Sequence, residues 1–251
     1  LTARPIHAAL ALALLGSTVL PAQAVTDAER GEIEGVVRDY LLRNPEVLLE
    51  ALDALKIKQA NQEAEEQKLA VSTADASLYA SPEGSVLGNP KGDVTLVEFF
   101  DYNCGYCKRA AADLDGLIES DRNLRVVLKE IPVLGDESVA ASHVSLAFRH
   151  VAPERYGEFQ RKLLGLRGVA NGDSAIEVAA ELGVEEAQIR TAMAAPEVEA
   201  VIQENQALAA HLKVGGTPFY VIGKDTVPGA IGLEGLAAKV EEARRCNSAA
   251  C

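Results

Sequence analysis

The stretch Val94-Thr95-Leu96-Val97-Glu98-Phe99-Phe100-Asp101-Tyr102-Asn103-Cys104-Gly105-Tyr106-Cys107 decides the fold. Its first seven residues form a β-branched and aromatic run, the pattern of a buried strand. Two cysteines with two residues between them follow, and they open a segment, 104–118, of helical periodicity. Such a pair, after a strand and at a helix start, reads as a redox site. The unpaired N–H groups and macrodipole of a helix N-terminus favour a thiolate at the first sulfur. The thiolate is the attacking species, so a lowered pKa enlarges the reactive fraction at neutral pH. Cys107, within the first turn, is in reach of a mixed disulfide formed at Cys104. A purely structural disulfide and half of a zinc site are the competing readings. Zinc takes four ligands, yet Cys246 and Cys251 stand far downstream and only His143, His150 and His211 follow residue 24. No metal or other cofactor is expected.

Outward from this stretch, Leu124 to Ile131 reads as a second strand. Segments 137–150, 153–166, 173–182, 185–193 and 196–212 read as helices, punctuated by Pro153, Gly172, Gly183 and Pro196. Phe219 to Ile222 and Thr226-Val227 form two short strands about a Gly223-Lys224-Asp225 turn, and a helix runs from Leu233 to Arg244. The order is β-α-β, a helical block, then β-β-α, an α/β class.

Towards the N-terminus, 71–93 loses periodicity and gathers Ser, Thr, Asp, Pro and Gly, as a linker does. Before it, 25–70 is helical. Ile33, Val37, Tyr40 and Leu41 recur at helical spacing, and Asn44-Pro45 stops one helix and starts another. Leu48, Leu52, Leu55, Gln59, Gln62, Glu66 and Leu69 then follow alternating steps of four and three, a heptad-like seam apolar in its first half and polar in its second. A helix over 45–69 would span about 37 Å, longer than a small core needs. Packing on its own domain and association with copies of itself both fit; the second is favoured. Residues 1–24 combine Arg4, an apolar run of about 13 residues from Ala8 to Leu20, and Ala22-Gln23-Ala24, the layout of a signal peptide cleaved after Ala24. Export to a compartment where disulfides persist follows.

The chain has 251 residues, 48% of them hydrophobic, enough for a substantial core. Its 37 acidic and 24 basic side chains give a net charge of −13. That balance argues against nucleic acid and anionic membrane surfaces as partners, since both select basic footprints.

Residues Val97 to Cys107, together with Gly216-Thr217-Pro218, resemble the DsbA-type branch of the thioredoxin superfamily. The N-terminal segment and the Asp-Tyr-Asn-Cys-Gly-Tyr-Cys stretch look closer still to ScsC-like periplasmic proteins. The resemblance implies a thioredoxin-like fold over 94–245, with a helical insertion at about 137–212 and an N-terminal oligomerisation stalk. It implies that Cys104 is an exposed nucleophile, Cys107 a buried resolving thiol and Pro218 a cis-proline. Thr217 would offer backbone groups to an extended substrate strand. Glu98 matches a buried acid that moves protons or tunes the thiol; a buried carboxylate must be paired or protonated, and Lys129 is the expected partner. Gly105, Tyr106 and Tyr102 are expected to meet the substrate, the two tyrosines bordering an apolar surface for unfolded clients. The implied partners are unfolded or misoxidised exported proteins, a membrane redox protein that resets the cysteine pair, and further copies of the chain.

Cys246 and Cys251 stand in the tail 246–251, where a mutual disulfide is the first choice, and an interchain bridge and a relay or metal role are the alternatives. The Gly-Tyr dipeptide between the catalytic cysteines and Thr before Pro218 look like those of disulfide isomerases. Isomerisation is therefore the expected activity. A dithiol oxidase with the same residues, and a client- or copper-binding holdase without turnover, are the alternatives.

Overall fold

The computed structural model describes residues 26–74, 76–82 and 84–247, so the expected signal peptide and Cys251 lie outside the described residues. Two compact units result, one ending at Ile57 and the other beginning at Lys58.

The first unit holds α1 (Asp27–Arg43) and the start of α2 (Glu46–Thr73). Thr26 caps α1: its hydroxyl accepts from the Glu29 amide at 3.3 Å, and the Glu29 carboxylate accepts from the Thr26 amide at 2.9 Å. This reciprocal arrangement satisfies two N–H groups that the helix leaves open. At the other end Asn44 stops α1, its backbone N–H and its side-chain amide both donating to Tyr40 O. No residue of α1 is buried. Ile33, Val37 and Tyr40 of α1, and Leu48, Leu52 and Leu55, the apolar half of the seam read from the sequence, are all about half exposed in the single chain.

The second unit is built on a five-stranded sheet. Its strands are β1 (Leu87–Gly88), β2 (Val94–Phe100), β3 (Leu124–Glu130), β4 (Phe219–Ile222) and β5 (Asp225–Pro228), in the order β1-β3-β2-β4-β5. β2 and β3 are parallel, joined by α3 (Gly105–Ser120); β4 is antiparallel to β2 and to β5. Between β3 and β4 the chain makes α4 (Asp136–Val151), α5 (Tyr156–Leu164), α6 (Gly172–Glu181), α7 (Glu186–Met193) and α8 (Pro196–His211). The chain then closes with α9 (Gly232–Asn247). This is a thioredoxin-like fold with a helical insertion.

Strand alternation splits the core in two. Leu96, Phe100, Val126, Leu128, Tyr220 and Ile222 share one cluster with α3, α9 and the insertion. Val97, Phe99, Val127, Phe219 and Val221 share the other with Leu208 and Leu212 of the α8 end, Val71 and Leu78.

Two sequence expectations change here. The segment expected as a stalk, 25–70, is divided, since the second unit already begins at Lys58. α2 continues to Thr73 because Val71, 4% exposed, is part of the sheet's second core. The polar half of the seam docks as well: Glu66 pairs with Lys213, and Thr226 donates to Gln67 at 2.7 Å. The segment read as a linker, 71–93, is likewise part of the fold. Leu78 is fully buried, and Leu87-Gly88 pairs with Val126-Arg125. Gly88, at φ +71°, is required there, since a Cβ would stand 2.5 Å from Leu124 O.

Candidate active site

β2 ends at Phe100, and the chain turns through Asp101, Tyr102 and Asn103 before α3 starts. Cys104 is the N-cap of α3, with extended backbone, and its side chain caps nothing in the helix. Cys107 lies in the first turn. Both are free thiols, 7% and 1% exposed. Cys104 is thus less open than expected, though it remains the more accessible of the two.

Opposite stands the segment that enters β4. The Thr217–Pro218 peptide is cis. The Cys104 thiol donates to Thr217 O at 3.1 Å, and Pro218 O accepts from the Gly229 amide at 2.8 Å. The Cys104–Thr217 bond belongs to the protonated thiol. Burial raises the Cys104 pKa, but the Thr217 side chain and the amides of Cys107 and Tyr106 outweigh it, so the net shift is downward. Those amides are the open donors of a helix N-terminus. Cys107 moves the other way. Burial pushes its thiol well up, and the negative charges of Glu98 and Cys104 add to that.

Glu98, 2% exposed, lies on the Cys107 face of the sheet and is in register with Tyr220 of β4. Burial drives its carboxyl up to about 8, partly offset by the Tyr220 hydroxyl and reinforced by Asp115. Lys129 is not its partner. Glu98 is in register with Leu128, and Lys129, one residue on, points to the opposite face. Its ammonium donates instead to Ser77 O at 2.7 Å and Ala80 O at 3.1 Å.

The expected substrate contacts divide. Gly105 and Tyr106 are exposed, Tyr106 at 62%, with the Arg109 guanidinium 4.4 Å over its ring. Tyr102 is buried and cannot meet a client. Its ring packs edge-on against Phe100, and its hydroxyl lies 2.7 Å from the Ser145 hydroxyl. Ser145 and Tyr156 both donate to Glu130 Oε1, at 2.7 and 2.8 Å, so a buried polar network underlies the turn. The mutual bridge expected for Cys246 and Cys251 falls on Cys251, outside the described residues.

Two residues in the quoted stretch carry a function that their sequence positions did not reveal. Asp101 accepts from the amides of Asn103, Val133 and Leu134 at 2.7, 2.8 and 3.0 Å and from the Ser138 hydroxyl at 2.8 Å. Asn103 donates to Ala170 O at 2.9 Å and accepts from Ala170 N at 2.7 Å. Together they fasten the turn before Cys104 to the insertion. Asp and Asn at a strand-to-helix turn signal side-chain bonding to nearby backbone; which backbone only the fold could reveal.

Residues 95–241 match the family model described as the DSBA-like thioredoxin domain, and residues 29–62 match the copper resistance protein ScsC N-terminal domain. A thioredoxin-like oxidoreductase from Silicibacter pomeroyi DSS-3 is 43% identical, over 68% of this chain and 99% of that one, with a TM-score of 0.65. Proteus mirabilis ScsC in a transitional conformation is 28% identical over 89% of this chain and 98% of its own, also at 0.65. The thiol-disulfide exchange protein alpha-DsbA2 from Wolbachia pipientis is 29% identical over 70% of this chain and 95% of its own, again at 0.65. No curated protein matches the chain. With a dithiol pair at its helix start and the family model matched over more than half of its length, the chain belongs to the DSBA-like thioredoxin domain family, as a thiol–disulfide oxidoreductase with a ScsC-type N-terminal region.

Proposed function

We propose that the protein is an exported disulfide isomerase and reductase of the periplasm, acting on misoxidised client proteins as an oligomer joined through its first unit. The observation that carries this reading is the set of exposed apolar side chains of that unit, Ile33, Val37 and Tyr40 with the seam Leu48, Leu52 and Leu55, in a single chain that also bears a complete dithiol site. Residues 1–24 are its signal peptide, and a membrane redox protein returns the pair to the dithiol.

Cys104 is the nucleophile. Its thiolate attacks one sulfur of a client disulfide, forming a Cys104–client bond and releasing the other client sulfur as a thiolate. In isomerisation a different client thiolate attacks the client sulfur of the mixed disulfide, so that a new client disulfide forms and Cys104 leaves as a thiolate. In reduction, Cys107 loses its proton and attacks the Cys104 sulfur; a Cys104–Cys107 disulfide forms and the client leaves as a dithiol. Cys107 ionises with difficulty, and Glu98, whose carboxyl titrates near 8 on the same face, is the group suited to take that proton. Thr217 and Pro218 align the client strand beside Cys104, and Tyr106 with Gly105 borders it.

Scrambled ribonuclease tests the reading. The mature chain, kept reduced, should restore ribonuclease activity from the scrambled form. A chain that only oxidises reduced ribonuclease would be an oxidase instead, and one that does neither a holdase.

A further inference from the structure

A groove of about 840 Å³ runs beside the site, and its two walls come from opposite ends of the second unit's sequence. One wall holds Gly216, Thr217 and Pro218, with Tyr106 at the Cys104 end. The other is the later part of α2: Ala60, Glu63, Ala64 and Gln67. These fall at spacings of three and four and so share one helical face. Alanine brings the helix close while leaving room for a chain between the walls. The helix is held in place by Gln67, which accepts from Thr226 at 2.7 Å, and by Glu66, which pairs with Lys213. Lys213 also lines the groove and is the only non-glycine residue with positive φ among the described residues, at 54°. With the Lys213 ammonium neutralised by Glu66, the uncompensated charge on the groove is Glu63. It is exposed and forms no ion pair among the described residues.

We propose that Glu63 is a specificity residue: α2 forms the second wall of the client groove, and Glu63 selects extended client segments that carry a lysine or arginine close to the attacked cysteine. The proposal rests on the oxidoreductase reading and adds to it which clients are favoured. An extended segment laid along Thr217 presents alternate side chains to the two walls. Those on the α2 side meet small alanines and one carboxylate. A basic side chain there gains a contact, and an acidic one meets like charge.

The test uses two cysteine peptides that differ only in a Lys or a Glu two residues from the cysteine. Both are activated as mixed disulfides with thionitrobenzoate. Cys104 of the reduced mature protein attacks the peptide sulfur, forms the peptide mixed disulfide and releases coloured thionitrobenzoate. The readout is the Lys-to-Glu ratio of second-order rate constants within each variant. The neutral dipyridyl disulfide reports thiol reactivity separately. Wild type should favour the Lys peptide by about two- to fivefold at low salt, the span of an exposed charge pair, and less as salt rises. Glu63→Gln should bring the ratio towards one, and Glu63→Lys should invert it. Glu154→Gln removes one acidic charge in the insertion, away from the groove, and should keep the wild-type ratio. An equal ratio in wild type and Glu63→Gln, or a fall in Glu154→Gln as large as in Glu63→Gln, would overturn the assignment while leaving the oxidoreductase reading intact. Failure to react with dipyridyl disulfide as well would overturn both.

Discussion

Cys104 and Cys107 stand three residues apart on one helix and differ chiefly in what their sulfurs meet. Cys104 faces the open amides of the first turn and the Thr217 side chain, so its thiolate is favoured; Cys107 is sealed among apolar groups near Glu98. Iodoacetamide should therefore label Cys104 alone in the native dithiol, with a titration midpoint below that of an ordinary thiol. Cys104→Ser should abolish turnover, whereas Cys107→Ser should still attack clients and accumulate the mixed disulfide. The reverse pattern would sink the choice of nucleophile. Glu98 makes a pH-dependent statement about stability. Its carboxyl titrates at about 8 in the folded chain against 4.5 ordinarily, so between those values the folded state holds a proton that the unfolded state has released. The Glu98 contribution is then fully present below about pH 4.5 and is lost as pH rises towards 8. Compared with Glu98→Gln, the reduced wild type should lose on the order of 3 kcal/mol between pH 5 and 7.5, read from urea midpoints. Parallel curves for the two proteins would mean that Glu98 stays solvated.

Elements were legible where one period ruled them. β2 appears over the residues whose β-branched and aromatic run announced it, and Asn44 ends α1 through its own side chain. β1 was not legible, because two residues carry no period and Leu87 with Gly88 acquires strand character only from β3. α2 misled for a physical reason: Gln59, Gln62 and Glu66 read as the polar half of a seam between helices, yet Glu66 and the neighbouring Gln67 bond to side chains more than a hundred positions away in the same chain. The Lys129 partner for Glu98 failed by simple parity, one residue being a change of face. α2 therefore contributes stability to the second unit as well as connecting it. Val71→Ala removes two buried methyl groups and should cost about 1–2 kcal/mol in thermal or urea unfolding of that unit. Removing residues 25–57 should leave the midpoint of that unit nearly unchanged, whereas removal through Thr73 should lower it further than Val71→Ala does. Equal midpoints for the two truncations would show that the end of α2 is only loosely held.

At the scale of the molecule, the chain spends one unit on chemistry and another on surface that a single copy leaves uncovered. The ScsC-type match over 29–62 covers the residues whose apolar side chains stay exposed, and Leu48, Leu52 and Leu55 lie at the spacing of a helix-to-helix seam. An isomerase must hold a client while one bond breaks and another forms, and several dithiol sites on one assembly raise the local concentration of the second site. An oxidase needs only one encounter. The mature chain should therefore scatter light as an oligomer. Leu48→Lys with Leu52→Lys, both exposed in the monomer, should give a folded single copy with an unchanged Cys104 labelling rate. That single copy should reduce small disulfides at the wild-type rate per site yet lose most of the scrambled-ribonuclease activity. A wild-type chain that is monomeric at assay concentrations would remove the role given to the seam. A double variant that is monomeric and fully active on scrambled ribonuclease would separate assembly from isomerisation, and would leave the Cys104, Cys107 and Thr217–Pro218 site sufficient by itself.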